Sequence, residues 1–292
     1  MLVTKNKIPG NTPKKKLHVK IHAETPFDSI MKRFHVSSAR SRAKQFGSIV
    51  VYFLFITRIC FLLSFEKENM LLTYTVYLSL FVQIVTGLVD ALALQLQVPS
   101  KILLLRQALV LEFLVQIVEG IFYIWLVFAI QKKTINITPN RYYDWFLTTP
   151  TMLFTLMVYL EYLKDKEKKQ TLLEFAKKYQ ETIRQVVVLN AMMLIFGYCG
   201  ERNLLPTPVA VFFGFLPFVA YYTILYQTFV RDNPEGQTFY WYFVVVWSVY
   251  GFAALLPYHS KNILYNILDL FAKNFFGIFL AFLLYKNRLS GE

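Results

Sequence analysis

Residues 262–285 read NILYNILDLFAKNFFGIFLAFLLY. The run is long enough to cross a bilayer, because a spanning helix needs roughly 20 mainly apolar residues. Yet it carries Asp269 and Lys273, four residues apart and so on one helical face. Asn262 and Asn266 extend that face. An ionisable side chain at this depth is expensive and marks a functional site by default. A lysine ammonium there needs a carboxylate partner or covalent modification. The plain structural alternative is a Lys273–Asp269 ion pair that locks helices together.

The rest of the 292-residue chain agrees with a membrane setting: 56% of residues are hydrophobic, only 17% are charged, and the formal net charge is +13. Ordinary soluble domains hold about 25% charged residues. The charge alone would admit a nucleic-acid partner, but its location argues against one. Residues 1–45 contain eleven Lys/Arg and two acids, which is +9 of the total. A segment so poor in apolar residues reads as a largely disordered basic tail over 1–46. By the positive-inside rule it is expected to be cytoplasmic. A targeting segment or an anionic-lipid patch is the alternative.

Eight apolar stretches follow, at about 48–65, 70–97, 102–131, 141–163, 185–201, 206–230, 238–257 and 262–285. The first carries Arg58 mid-span, so an extra N-terminal helix over 47–66 is expected to span the membrane or lie in its interface. Residues 164–184 hold seven Lys/Arg and four acids with apolar residues interspersed, which predicts a helix continuing outside the membrane. The expected fold is therefore an all-α membrane protein: a seven-helix bundle over 67–288 plus one N-terminal helix.

A second span also holds buried charge. It opens Arg141-Tyr142-Tyr143-Asp144-Trp145-Phe146-Leu147-Thr148-Thr149-Pro150. Arg141, Asp144 and Thr148 fall on one face. With Asp269 and Lys273 they give two charges of each sign, which can neutralise one another in a dry site. Three of the four histidines, His18, His22 and His35, lie in the tail and His259 in a loop, so no metal site is expected. No enzymatic chemistry is expected either.

These residues resemble the microbial (type 1) rhodopsins. The stretch 141–150 is similar to their third helix, Asp269-x-x-x-Lys273 to their seventh, and Trp247-Ser248-Val249-Tyr250 to their sixth-helix Trp-x-x-Tyr. The resemblance covers about 70–285 and implies all-trans retinal, covalently bound to Lys273 as a protonated Schiff base. Asp144 and Asp269 then match the counterions, with Arg141, Thr148 and Tyr250 in their network. Trp145, Thr149, Asn190, Met193, Gly197, Trp247 and Gly251 match the retinal pocket. Gly251 is a departure, since many relatives have proline there. Relatives often assemble as dimers, trimers or pentamers, so a homo-oligomer is expected.

The family contains pumps, channels and sensors. Outward proton pumps carry a carboxylic donor eleven residues after the acceptor, where this chain has Thr155. Glu112 and Glu119 lie two helical turns apart with Gln116 between them, a polar stripe on an apolar helix. Such stripes line water-filled paths in helical channels; the structural alternative is a pair of protonated glutamates bonded to neighbouring helices. In channelrhodopsins, glutamates at this spacing line the pore, and an Asn directly after the retinal lysine joins one of them in a gate. The resemblance thus implies a Glu119–Asn274 gate completed by Ser79 or Gln83. The helix pattern is most similar to the group 1 rhodopsins of giant viruses, which are cation-channel-like. The expected function is a light-gated channel for monovalent cations and protons in a host-cell membrane or endomembrane. An outward proton pump and a photosensor signalling to a partner are the alternatives.

Overall fold

The computed structural model describes residues 68–132 and 135–288. The expected basic tail and the helix over 47–66 lie outside the described residues. Seven long helices form the rest: α1 (Glu68–Ala93), α2 (Leu103–Gln131), α3 (Thr138–Lys164), α4 (Gln180–Glu201), α5 (Thr207–Val230), α6 (Gln237–Ala253) and α7 (Tyr258–Lys286). Six of them are long and apolar enough to cross a membrane, and α6 has 17 residues.

Each helix packs on its neighbour in the chain, and α7 returns against both α1 and α2, so the ring closes. The outward faces are apolar, as lipid requires: Phe81 and Leu88 of α1 are 64% and 61% exposed. The polar residues of α1 turn the other way. Thr75, Ser79, Gln83, Thr86 and Asp90 recur at helical spacing and are all buried. A soluble bundle would reverse this polarity.

Two local features position the site. Leu270–Asn274 form a π-helical turn in the middle of α7. In a regular helix successive side chains diverge by about 100°; the wider turn lets Lys273 and Asn274, neighbours in sequence, both face the interior. Such turns recur at functional sites. In α3, Pro150 removes one backbone donor within the helix. Around it the hydroxyls of Thr148, Thr149 and Thr151 donate to the carbonyls of Asp144, Trp145 and Leu147.

The segment between α3 and α4 corrects one expectation. It is helical only in part, because a short helix, Leu172–Lys178, is set off from α4 by Tyr179. Thr171 and Glu174 cap its start reciprocally, and Tyr179, at φ −110° and ψ 20°, ends it. The capping bonds from Thr171 hold the Glu174 carboxyl below its usual range. Tyr179 and Lys178 then bind Glu161 of α3, both at 2.8 Å, and so tie this segment to the bundle.

Candidate functional site

Lys273 is 2% exposed, and its Nζ lies 2.7 Å from Asp144 Oδ2 of α3 and 3.7 Å from Asp269 Oδ1 one turn back. A third carboxyl, Glu119 of α2, places Oε1 3.1 Å from the same nitrogen, off the direction of a hydrogen bond. The two sequence-distant charged spans thus meet at one atom. The plain Lys273–Asp269 pair is the longest of the three contacts; the short one crosses between helices.

Arg141 lies beyond the carboxylates, fully buried. Its Nε donates to Asn262 Oδ1 at 3.0 Å, Nη2 donates to Asn266 Oδ1, and Nη1 is 3.5 Å from Asp269 Oδ2. Asp269 also accepts from Tyr250 at 2.7 Å and from Tyr123 at 2.6 Å. Asn262 and Asn266 in turn donate to Thr138 and Thr75. Three carboxyl groups thus surround two cations, and such a dry cluster balances when one carboxyl carries a proton.

On the other side of Lys273 lies a largely apolar cavity, about 780 Å³ of space counted to its mouth. Trp145, Thr149, Met193, Gly197, Trp247 and Gly251 all line it, as expected from the sequence. Asn190 does not; it stands behind the wall and donates to the Thr149 hydroxyl at 2.8 Å. Tyr142, Phe215 and Tyr265 line the cavity without having been expected. Trp145 meets Tyr250 and Tyr265 edge-on, and those two rings stack on each other, which fixes its plane.

The two glycines explain the wall. A Cβ on Gly197 would come within 2.5 Å of the Tyr142 hydroxyl, and one on Gly251 within 2.6 Å of the Phe215 ring. Phe215 therefore occupies the space beside Gly251. Gly251→Ala should push that ring into the cavity at about 1–3 kcal/mol of overpacking. The expected result is less pigment or a shifted absorption maximum after retinal is added; an unchanged spectrum and yield would remove Phe215 from the wall.

Several expected contacts are replaced. Asn274 Nδ2 donates to Thr86 Oγ1 of α1 at 3.1 Å, and Glu119 contacts Lys273, so no Glu119–Asn274 hydrogen bond forms among the described residues. The ammonium attracts the carboxyl more strongly than an amide would. Ser79 donates to the Asn266 carbonyl, on the Arg141 side of Lys273, and so does not complete a gate with Asn274. The Thr148 hydroxyl bonds the Asp144 carbonyl rather than a carboxylate. Gln83 and Gln116 are buried, and none of their side-chain amide atoms has a partner among the described residues. Glu112 accepts from the Thr155 hydroxyl. Tyr123 and Thr86 were legible in principle. Tyr123 continues the 112–116–119 face of α2, and Thr86 the 79–83 face of α1.

A family model for bacteriorhodopsin-like proteins matches residues 70–287. The chain belongs to that family, the microbial rhodopsins, which are integral membrane proteins carrying retinal on a lysine. Among solved structures, viral rhodopsin OLPVRII is 29% identical at a TM-score of 0.64, covering 74% of this chain and 98% of that one. A thermophilic rhodopsin is 22% identical at a TM-score of 0.61, covering 77% and 96%. The rhodopsin of Exiguobacterium sibiricum is 17% identical at 0.59, covering 75% and 97%. These last two show the fold alone. No curated protein matches the chain in sequence. The site fits the family's cofactor, since an apolar slot between two tryptophans ends at a buried lysine amine beside carboxylates.

Proposed function

We propose that this protein is a light-gated cation channel that holds all-trans retinal on Lys273. One observation carries the reading: a buried polar seam runs between α1, α2 and α7, past Lys273. It comprises Ser79, Gln83, Thr86 and Asp90 of α1, Glu112, Gln116 and Glu119 of α2, and Asn274 of α7. Both side-chain polar atoms of Gln83, Gln116 and Asp90 lack partners among the described residues, as do Glu112 Oε2 and Asn274 Oδ1. Buried polar groups demand partners. A seam so rich in unpartnered ones suits water and ions, whereas a structural ion lock would satisfy itself.

Retinal, when bound, supplies the visible absorption and the light-driven change of shape. Trp145 and Trp247 would line its slot, and Asp144 and Asp269 would keep the attached Lys273 nitrogen charged. In the light the proton on Lys273 Nζ passes to Asp144 Oδ2, the carboxyl oxygen 2.7 Å away. Loss of that positive charge removes what holds Glu119 Oε1 at 3.1 Å, and α2 is released from α7. The Asn274–Thr86 hydrogen bond bars the seam at the next residue of α7, between α7 and α1. When both contacts part, carboxyls along the path favour cations over anions.

Patch-clamp recording under illumination tests this. The photocurrent should reverse sign with the cation gradient, and Glu119→Gln should change the cation permeability ratio severalfold. A current of one direction at every voltage would replace the channel with the outward pump. An unchanged permeability ratio in the variant would remove Glu119 from the path.

A further inference from the structure

The π-helical turn at Leu270–Asn274 leaves one carbonyl of α7 without its helical donor. Phe275 N–H donates to the Leu270 carbonyl, five residues back. The regular helix then resumes over Phe275–Lys286, and its four-residue spacing, counted back from Phe276, falls on the Ala272 carbonyl. The pattern passes over Phe271. That residue is 36% exposed on the lipid-facing side, where no water replaces a missing donor. Tyr242 of α6 supplies one: its hydroxyl donates to the Phe271 carbonyl at 2.6 Å. Its ring packs on Phe275, with 5.1 Å between centroids.

The turn decides what Asn274 faces. With it, Lys273 and Asn274 are both buried, and Asn274 donates to Thr86 of α1 at 3.1 Å. A turn tightened to α-helical spacing would set Asn274 about 100° around the axis from Lys273, and so off Thr86. The same α6 carries Trp247, five residues after Tyr242, in the wall of the cavity. No hydrogen bond ties that ring, because its Nε1 has no partner among the described residues. One helix therefore joins the cavity wall to the π-turn.

We propose that Tyr242 is a positioning residue for the Asn274–Thr86 contact: its hydroxyl clasps the π-turn from α6 in the dark, and its release opens the seam. When α6 shifts with Trp247, the Tyr242 O–H leaves the Phe271 carbonyl. That carbonyl regains a donor when the turn tightens and Phe275 N–H, four residues on, reaches it. The tightening draws Asn274 off Thr86. Opening thus depends on α6 as well as on the charge at Lys273. The inference rests on the gated seam of the proposed function.

The test uses the full chain with retinal bound. Tyr242→Phe removes one oxygen and keeps the ring, and Tyr242 does not line the cavity, so the variant should form pigment. Its photocurrent should decay about fivefold more slowly when the light goes off, the worth of one net hydrogen bond. In a Thr86→Val background Asn274 has already lost its partner, so adding Tyr242→Phe should slow closing no further. Flash-induced infrared spectra of the parent should show a tyrosine C–O band that shifts as the hydroxyl loses its acceptor, and Tyr242→Phe should delete it. Should Tyr242→Phe fail to fold, O-methyltyrosine in place of Tyr242, which cannot donate, carries the same decision. Unchanged closing, equal slowing in both backgrounds, or no tyrosine band assignable to Tyr242 overturns the clasp and leaves the channel standing. A parent without a reversing photocurrent overturns the channel and, with it, the clasp.

Discussion

Retinal added to the Lys273→Ala protein is expected to give no visible absorption band, while the unsubstituted chain gives one. Lys273 carries the one amine lining the cavity among the described residues, and it stands beside Asp144, 2.7 Å away. Alanine removes the nucleophile that must join the cofactor. It also removes a cation from three carboxyls, so loss of folding must be separated from loss of chemistry. Lys273→Arg serves that purpose. Its guanidinium keeps the positive charge against Asp144 and Glu119 but stays protonated and forms no such bond. It should fold, judged by thermal unfolding and size-exclusion behaviour, and still form no pigment. A normal visible band in either variant would sink the assignment of Lys273.

The second large effect is expected at the opposite end of the carboxyl cluster. Arg141→Met should destabilise the protein by about 3–5 kcal/mol, the usual result of removing one partner of a buried ion pair. The guanidinium joins α3 to α7 through Asn262, Asn266 and Asp269, with no exposure to solvent. Without it, Asp269 keeps the Tyr123 and Tyr250 hydroxyls as donors but loses its nearer counter-charge. Adding Asp269→Asn to Arg141→Met should recover part of the loss, because the uncompensated charge goes with it. Thermal unfolding midpoints of the four proteins measure this. A single variant as stable as the parent, or a double variant with purely additive loss, would show that the two groups are not coupled.

Much of the site was readable from spacing. Asp269 and Lys273 had to share a face, as did Arg141 and Asp144, and the tryptophan positions of the cavity followed from the motifs that carry the resemblance. What the resemblance misjudged were contacts between helices. Glu119 was expected against Asn274 and instead meets Lys273, while Asn274 meets Thr86. Ser79 was expected with the gate and bonds the Asn266 carbonyl. Thr155 was read as the absence of a donor, yet it holds a glutamate from the next helix. In each case the residue's face was right and its partner was not.

The sequence by itself determined that this is an all-α membrane protein with seven apolar spans over 67–288 and a lysine within the last of them. Length, hydropathy and period are properties of single segments, and a lone charge in an apolar span is visible without any neighbour. Only the tertiary structure decided which carboxyl faces that lysine, that Phe215 fills the space beside Gly251, and that the seam's polar atoms go unpartnered. Those outcomes depend on the rotation and depth of each helix against the next. A π-helical turn at Leu270–Asn274 changes them by a fraction of a turn, which no periodicity in the sequence records.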